Sequence, residues 1–318
     1  MQYVFDLNDE NNFIAPQEMK RPDGRVFETQ HTILMPENPR RNFTMTDSVM
    51  LKTPTLDPPG MHEHYEGYEI FFVDSGGMDI YVNKQKAYIK PGSILFCQPY
   101  QAHGAYFRDD VKFRGFFHDL PYNEEGEAGQ LLRKSNPDFM LDPEFPQDNA
   151  PMRDFINREP AYNFKEVPPE ECSCIRHKER PMAQFELEGC TAKMITARWE
   201  NGGLCEMWCF EMKQGFFAES DRYPKVTDLY YVTEGEIKFK VYDEEFIAKA
   251  EHVVKIPRYA PRSFEALTDA VMYDVGGMPL WFSYFVDRES ILGLDPERAK
   301  DPETWVALRM KFNIHYKL

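Results

Sequence analysis

The stretch His62-Glu63-His64-Tyr65-Glu66-Gly67-Tyr68-Glu69 decides how the rest of the chain is interpreted. On a strand, His62 and His64 point to the same face because side chains alternate from one residue to the next. Glu69 begins an apolar run, Glu69-Ile70-Phe71-Phe72-Val73, that predicts a buried strand. Neutral imidazoles side by side on one face bind a divalent metal well. The stretch therefore predicts a metal site built on strands.

A third histidine comes after further predicted strands. The turn Asp74-Ser75-Gly76-Gly77 leads into Met78–Val82, and this pattern predicts a β-hairpin with the preceding strand. Pro91-Gly92 precedes a strand at 93–97, and His103 follows that strand. Three of the chain's eight histidines and one carboxylate are therefore expected to converge as metal ligands inside a small barrel, namely His62, His64, Glu69 and His103.

This arrangement resembles the two sequence motifs of the cupin superfamily. The first motif contains a glycine, two histidines separated by one residue, a glutamate and a second glycine, and the second contains a glycine, a proline and a late histidine. The matching residues are Gly60, His62, His64, Glu69 and Gly76 in the first motif, and Gly92, Pro99 and His103 in the second. The resemblance covers about residues 48–117 and fills all four ligand positions of the family.

The sequence departs from the cupin pattern at three places outside the ligand set. Gly60 stands closer to His62 than in the family, Gln101 replaces a common glycine, and Phe107 replaces a common asparagine. These changes affect turn shape and the surroundings of the ligands. The resemblance implies an all-β fold of jelly-roll barrels and one divalent transition metal bound by His62, His64, Glu69 and His103.

An internal repeat predicts a second, degenerate cupin barrel. The segment 228–235 repeats the pattern of 69–76, and 237–241 repeats that of 78–82. In this register Asp221 and Tyr223 replace the two paired histidines, Asp228 replaces Glu69, and Pro261 or Arg262 replaces the late histidine. Without imidazoles this barrel is expected to be metal-free, so we expect one metal ion per chain.

The chain is thus predicted to contain two cupin domains with a proline-rich connection and a C-terminal helix. The expected boundaries are 1–47 for an N-terminal arm, 48–120 for the metal-binding cupin domain, 121–185 for a linker or lid, 186–285 for the second cupin domain and 286–318 for a helical segment. The arm is expected to pack on the other barrel, as in other two-cupin proteins. The helix is expected to begin near Asp295 or Asp301, each of which precedes a proline.

Composition narrows the classes of partner. The net charge of −16 and the pI near 5.0 argue against nucleic acid and anionic membrane surfaces, which require clusters of lysine and arginine. No apolar run approaches the length of a membrane span, and no secretory signal is apparent, so a cytoplasmic protein is expected. The six cysteines are then expected to be thiols. The expected partner is a small-molecule substrate, with a homodimer as the expected assembly if the C-terminal helix contacts a second copy.

The ligand set leaves several ions and reactions open. Fe(II) is the first choice of metal, and Mn, Ni, Co, Cu and Zn also accept nitrogen and oxygen donors. A site without cysteine ligands disfavours Cu(I). Candidate catalytic residues are Glu69, which would stay bound or act as a base, His118 at the end of a strand, and Tyr81 as a proton-transfer group.

The preferred function is a dioxygenase that cleaves a ring or C–C bond of a phenolic or enol compound, because the layout resembles the two-cupin quercetin dioxygenases and the pirins. The alternative is a non-redox lyase, isomerase or hydrolase that uses the metal as a Lewis acid. A second alternative is a non-catalytic ligand-binding cupin, although the acidic sequence lacks the basic helix-turn-helix domain that sensor cupins usually carry.

Overall fold

The computed structural model describes residues 2–20, 24–38, 41–53, 62–64, 68–98, 101–118, 152–154, 164–200, 206–220, 227–276 and 280–317. The chain divides into two compact units, here called the first barrel (Glu10–His177) and the second barrel (Met1–Asp9 with Lys178–Leu318). Each unit consists of two β-sheets packed around an apolar interior. The predicted all-β fold with two barrels is confirmed.

The strands are numbered in chain order, and the first barrel begins after β1 (Val4–Asp6). Its strands are β2 (Ile14–Lys20), β3 (Val26–Asn38), β4 (Arg41–Met50), β5 (His62–His64), β6 (Tyr68–Ser75), β7 (Met78–Val82), β8 (Gln85–Ile89), β9 (Ile94–Cys97), β10 (His103–Phe107), β11 (Val111–His118), β12 (Met152–Asp154), β13 (Lys165–Glu166) and β14 (Ile175–Arg176). The large sheet has the order β14-β9-β6-β11-β4-β3-β2, and the small sheet has the order β12-β5-β10-β7-β8-β13.

The predicted hairpin between β6 and β7 is wrong. β6 pairs with β9 and β11 in the large sheet, whereas β7 pairs with β8 and β10 in the small sheet. The turn between them therefore passes from one sheet to the other, as in a jelly roll. Gly76 makes this passage with φ +79°, and a Cβ there would clash with the carbonyl oxygen of Asp110. Sequence patterns indicate that a turn exists but do not show which sheet the next strand joins.

The predicted N-terminal arm, 1–47, is divided between the two barrels. β1 pairs with His252–Ile256 of the second barrel, so the first residues do pack on the other barrel. Residues from 14 onward instead form β2, β3 and β4 of the first barrel, with β4 lying beside β11. The long strands β3 and β4 form a hairpin whose pairing with β11 extends the large sheet, and this pairing joins segments far apart in sequence.

Within the predicted segment 121–185, the described residues up to His177 contribute strands to the first barrel. β12 extends the small sheet beside β5, β13 lies parallel to β8, and β14 pairs with β9. Residues 121–150 lie outside the described residues, so their role as a linker or lid stays a prediction. The division between the two units falls inside this segment, after His177.

The second barrel repeats this plan with two helices added. Its strands after β1 are β15 (Ala183–Leu187), β16 (Cys190–Thr196), β17 (Met207–Met212), β18 (Phe217–Ser220), β19 (Asp228–Glu234), β20 (Glu236–Val241), β21 (Glu244–Lys249), β22 (His252–Ile256), β23 (Arg262–Ala266), β24 (Ala270–Asp274) and β25 (Tyr316–Lys317). One sheet has the order β1-β22-β19-β24-β17-β16-β15, and the other has the order β21-β20-β23-β18-β25.

Two C-terminal helices follow these strands, α1 (Trp281–Leu294) and α2 (Pro302–Phe312). Helix α2 begins at the second of the two predicted sites, where the Asp301 carboxylate accepts a hydrogen bond from the backbone N–H of Glu303. Leu308 and Phe312 are buried in the core of the second barrel. Neither helix is long and apolar enough to cross a bilayer, among the residues described.

Candidate metal centre

Three buried side chains of the first barrel bring metal-binding atoms together. Ligand atoms of Glu69, Cys97 and His103 all lie within 4.8 Å of one another. The three residues are 5%, 1% and 3% exposed, respectively. The distance from His103 Nε2 to Glu69 Oε2 is 3.2 Å. This is a compact group of one nitrogen, one oxygen and one sulfur donor, closed off from solvent.

Strand register explains why these three residues meet. Glu69 on β6 lies directly opposite Cys97 on β9, and opposed residues of an antiparallel pair share a face. His103 begins β10 in the small sheet, opposite Val82, whose side chain belongs to the barrel core. The large sheet therefore supplies the carboxylate and the thiol, and the small sheet supplies the imidazole.

The ring of His103 is held in one orientation. Its Nδ1 lies 2.7 Å from the backbone carbonyl oxygen of Gln101, which accepts the N–H and leaves Nε2 directed at Glu69. Gln101, the residue that departs from the cupin pattern, is itself buried. Burial by itself lowers the pKa of His103, but Cys97 and Glu69 outweigh it and raise that pKa well above its usual range.

The two paired histidines lie at the same end of the barrel by backbone register. His62 on β5 is opposite His103 on β10, and β12 covers the other edge of β5. The side chains of His62 and His64 are outside what the structure describes, so their role as ligands stays a prediction.

The described donors suit a transition metal. An ion with bonds of about 2.0–2.3 Å spans donor atoms up to roughly 4.6 Å apart. The three donor atoms here lie within 4.8 Å of one another, and His103 Nε2 and Glu69 Oε2 are 3.2 Å apart. Carboxylate, imidazole and thiolate together favour first-row transition metals over Mg²⁺ or Ca²⁺, which prefer oxygen. An ion would replace the proton now expected between His103 and Glu69, because a histidine ligand must be neutral.

Cys97 was missed as a candidate donor. The expected ligand set contains no cysteine, whereas the Cys97 ligand atom lies in the candidate donor group. Whether the ligand set excludes cysteine stays a prediction. A usable signal was present in the sequence, since Cys97 is the last residue of a predicted strand that follows the Glu69 strand. Without the pairing of β6 with β9, however, the sequence does not show which residue stands opposite Glu69.

Tyr81 is not brought to this group, which corrects its assignment as a catalytic residue. It lies opposite Gly104, one position along the ladder from the pair of Val82 and His103, so it points to the other face of the small sheet. There its ring contacts Phe164 edge to face at 5.2 Å. Burial raises the pKa of Tyr81, and the nearby charge of Asp79 raises it further.

His118 ends β11 opposite Tyr68 on β6. Glu69 is the next residue after Tyr68 and therefore lies opposite Phe117. The side chain of His118 is outside what the structure describes, and its catalytic role stays a prediction.

The second barrel has a different group at the same position. Asp228 lies opposite Ile256 as Glu69 lies opposite Cys97, and Arg262 lies opposite Val241 as His103 lies opposite Val82. The register thus selects Arg262 over Pro261 as the counterpart of His103. Asp221 and Tyr223 are outside the described residues.

Arg262 supplies a cation within the second barrel. Its Nε lies 3.2 Å from Asp228 Oδ2, and both side chains are buried. The hydroxyl of Tyr316 donates to the same oxygen at 2.9 Å, and His315 Nε2 lies 3.4 Å from it. Burial alone would raise the pKa of Asp228, but Arg262 and His315 lower it to about 2. A protein side chain therefore neutralises the carboxylate that a metal would otherwise neutralise.

Asp274, a neighbour of this group, behaves in the opposite way. Burial raises the pKa of Asp274 well above its usual range, and the nearby charge of Asp228 raises it further. Two buried carboxyl groups in one barrel interior therefore favour different protonation states, one ionised and one neutral.

No family model matches the sequence, and a search of curated proteins finds no match either. Solved structures share the fold. An oxalate decarboxylase from Lactobacillus farciminis, in a formate complex, is 12% identical with a TM-score of 0.52, and 96% of each chain is covered. A Bacillus subtilis oxalate decarboxylase, whose Mn(II) centres are the subject of its structure, is 12% identical with a TM-score of 0.51, over 96% of this chain and 86% of that one.

A cupin 2 conserved barrel domain protein from Leptotrichia buccalis is 12% identical with a TM-score of 0.48, over 86% of this chain and 96% of that one. The likeness to the two oxalate decarboxylases confirms the resemblance to two-cupin proteins at the level of the fold. At such identity it says nothing of the reaction, because one fold supports many activities.

Proposed function

We propose that this chain is a metal-dependent enzyme that converts a small organic substrate inside the first barrel. The observation that carries the proposal is the buried group of Glu69, Cys97 and His103, whose ligand atoms lie within 4.8 Å of one another. The register of His62 opposite His103 supports a larger ligand set. A bound ion would act as a Lewis acid or activate oxygen.

The protein's own residues would prepare this chemistry. The Gln101 carbonyl fixes the ring of His103, so that Nε2 faces the carboxylate. Glu69, buried beside that ring, would hold a negative charge at the ion or accept a proton from the substrate. Phe71 and Phe113 pack edge to face at 4.9 Å on the interior side of the large sheet, which limits the entry of water.

The first candidate reaction is oxygen-dependent cleavage of a phenolic or enol compound, with Fe(II) as the first choice of metal. The aromatic pair of Phe71 and Phe113 supports this choice, because it lies on the same face as Glu69 and suits a flat, partly apolar substrate.

The second candidate is a non-redox lyase or isomerase, with Mn(II) as one suitable ion. Cys97 favours it, because a thiol beside an oxygen-activating centre is open to oxidation to sulfenic acid and beyond. The oxalate decarboxylases that share the fold are, by name, enzymes that remove a carboxyl group. This likeness supports a lyase only by analogy of fold.

One experiment separates these candidates. Metal-loaded protein is assayed against phenols, enediols and sugar acids in an oxygen electrode and in an anaerobic chamber, with product analysis in both. Oxygen consumption in step with product would support the dioxygenase, and turnover that continues without oxygen would promote the lyase. His103→Ala serves as the control without one ligand. Metal binding without turnover in either atmosphere would leave a ligand-binding cupin and reject the enzyme.

A further inference from the structure

Three polar residues lie on the interior face of the large sheet of the first barrel, Thr46, Ser48 and Glu28, and are here called the polar wall. Thr46 on β4 lies opposite Gly115 on β11, and Gly115 in turn lies opposite Phe71, two residues from Glu69 on β6. Because opposed residues share a face and faces alternate along a strand, Thr46 is on the same face as Glu69. Ser48 follows two positions along β4 on that face.

Glu28 joins this wall from the neighbouring strand. It lies on β3 opposite Met50, which packs against the barrel core. Burial raises the pKa of Glu28, the nearby hydroxyl of Ser48 lowers it, and the charge of Glu69 raises it again. The strand ladders place Glu28, Ser48 and Thr46 on the face of the large sheet that also carries Glu69.

The two hydroxyl groups are buried without satisfying their hydrogen-bonding capacity. Thr46 is 2% exposed and Ser48 is 0% exposed. In the part of the chain that the structure describes, the Thr46 hydroxyl has no hydrogen-bond partner, and the Ser48 hydroxyl has only its contact with Glu28, which lowers the pKa of that carboxyl group. Buried polar groups nearly always have partners, so unpartnered ones next to a candidate site indicate a ligand or water that the hydroxyls contact.

The second barrel provides an internal comparison, because the same ladder positions are identified there. Asp274 lies opposite Tyr230 as Gly115 lies opposite Phe71, so Asp274 is the counterpart of Gly115. From Asp274, the pairs of β24 with β17 and of β17 with β16 identify the counterparts of the three wall residues. Thr46, Ser48 and Glu28 correspond in this way to Trp208, Phe210 and Cys190. All three counterparts are buried in the core of the second barrel.

This comparison shows that the repeated fold does not require small polar residues here. The second barrel fills two of these positions with large aromatic rings, whereas the first barrel has hydroxyls and, beside them, a glycine without a side chain. Glycine inside a strand often marks the close approach of a ligand. The first barrel therefore has small residues with hydrogen-bonding groups at the positions where the second barrel has large packed rings.

The charge of the wall limits what it would bind. Among described residues, the inner positions of β4, β6, β9 and β11 contain no lysine or arginine. Arg114 lies on the opposite face of β11, where it pairs with Asp47 and Asp74. Glu69 is compensated by His103, so Glu28 is the acidic group of the wall, and it disfavours an anionic substrate group placed against the wall.

We propose that Thr46, Ser48 and Glu28 are substrate-binding residues. They form hydrogen bonds with a hydroxyl or keto group of a small, uncharged, oxygenated compound, and the other end of this compound lies at the metal-binding group. This inference rests on the proposed function of the first barrel and extends it to a substrate class. It excludes small dicarboxylates as the preferred substrates.

A pair of catechols that differ in one distal hydroxyl tests the proposal. The probes are 3,4-dihydroxybenzyl alcohol and 4-methylcatechol, titrated calorimetrically into Zn(II)-loaded protein, since Zn(II) does not oxidise catechols. The wild-type protein is expected to prefer the alcohol by about five- to ten-fold, the effect of one hydrogen bond. Thr46→Val and Ser48→Ala are expected to abolish the preference while keeping the metal and an equal or higher Tm.

A matched control comes from the second barrel. Thr196 is also fully buried, but its hydroxyl accepts a hydrogen bond from the backbone N–H of Met207 at 3.2 Å. Thr196→Val is therefore expected to lower the Tm and leave the preference for the alcohol intact. Glu28→Gln is expected to improve binding of 3,4-dihydroxybenzoate at least three-fold relative to the alcohol, because it removes a negative charge.

The outcomes separate the two proposals. Wild-type protein that binds no metal overturns the proposed function and this inference with it. Protein that holds the metal yet shows no preference between the two catechols, whether it binds both or neither, overturns this inference alone. A preference that survives in both Thr46→Val and Ser48→Ala, or a Tm that falls in both, also overturns it, since the hydroxyls would then serve only the fold.

Discussion

Arg262 occupies in the second barrel the ladder position that His103 occupies in the first. Each begins the equivalent strand, and each lies opposite a valine of the neighbouring strand. In the first barrel the position presents an imidazole to a carboxylate, and in the second a guanidinium. Because arginine keeps its proton at every relevant pH, it offers no lone pair to a metal. The same fold thus holds a candidate metal centre in one barrel and an internal ion pair in the other.

The first prediction concerns metal content. Elemental analysis of protein purified without chelator is expected to find about one transition metal per chain. The double variant His62→Ala with His64→Ala is expected to lose it, because the ligand set would lose two imidazoles. His252→Ala in the second barrel is the control and should retain the metal. Two equivalents in the wild-type protein, or full retention in the double variant, would contradict the assignment.

The second prediction compares equivalent positions of the two barrels. His103→Ala is expected to weaken metal binding and abolish activity, because it removes a buried imidazole from the donor group. Asp228→Asn is expected to leave the metal in place. Metal content and turnover are measured on both variants under conditions where each is folded. Loss of activity in both, with metal retained in both, would place catalysis in the second barrel.

The third prediction concerns stability and pH. The pKa of Asp228 is about 2 in the folded chain, below the unfolded value of about 3.9. Its charge therefore stabilises the fold above about pH 4, and roughly 2–3 kcal/mol is lost as the pH falls from about 4 to 2. Asp228→Asn should cost about 3–5 kcal/mol at pH 7, because Arg262 would stay buried without its anion.

Urea unfolding at pH 7 and pH 3 measures this effect. The gap between wild-type and Asp228→Asn protein should narrow at pH 3, because the unfolded wild-type chain then binds a proton at Asp228 while the folded chain, with its pKa of about 2, stays mostly ionised there. Asp269→Asn, which breaks the exposed pair with Lys213, is the control and should change stability little. Equal gaps at both pH values would show that the buried charge does not drive the difference.

The fourth prediction concerns Asp274, whose contribution to stability is expected to change with pH in the direction opposite to that of Asp228. The pKa of Asp274 is raised in the folded chain, so folding binds a proton that the unfolded carboxyl releases above about pH 4. Its contribution is therefore present below that pH and declines as the pH rises. Asparagine at this position cannot ionise. Between pH 4 and pH 8, the free energy of unfolding of Asp274→Asn should therefore rise relative to that of the wild-type protein. Parallel stability curves would contradict a neutral Asp274.

The fifth prediction concerns Cys97. If its sulfur binds the metal, Co(II)-loaded protein should show a sulfur-to-cobalt charge-transfer band in the near ultraviolet, and Cys97→Ser should abolish it. Cys190→Ser removes a buried thiol of the second barrel and serves as the control. A spectrum without the band in the wild-type protein would show that Cys97 lies beside the metal without binding it.

Part of the candidate site could be predicted because its pattern is local. The spacing of His62, His64 and Glu69 follows from the period of a strand and a turn, and His103 follows the next predicted strands. The repeat at 228–241 predicted a second barrel, and Gly235 reproduces the positive φ of Gly76. These features require only neighbouring residues, so the sequence contains them.

The remaining features depend on which strands pair. The spacing of Tyr81 from Glu69 in the sequence does not show on which face of its sheet Tyr81 lies. The pairing of β7 with β10 places Tyr81 on the face opposite to that of His103. Cys97 lies in the donor group because it stands opposite Glu69 in the pairing of β6 with β9.

By itself, the sequence determined the repeat and the two-barrel all-β fold, and it predicted a candidate ligand pattern in the first barrel, because local periodicity and turn residues carry this information. Only the tertiary structure decided that Arg262 neutralises Asp228, that Cys97 faces Glu69, and that Thr46 and Ser48 are buried on the face of Glu69 in the first barrel. Each of these depends on ladder register between strands distant in sequence, and a shift of one residue would turn every such side chain to the other face.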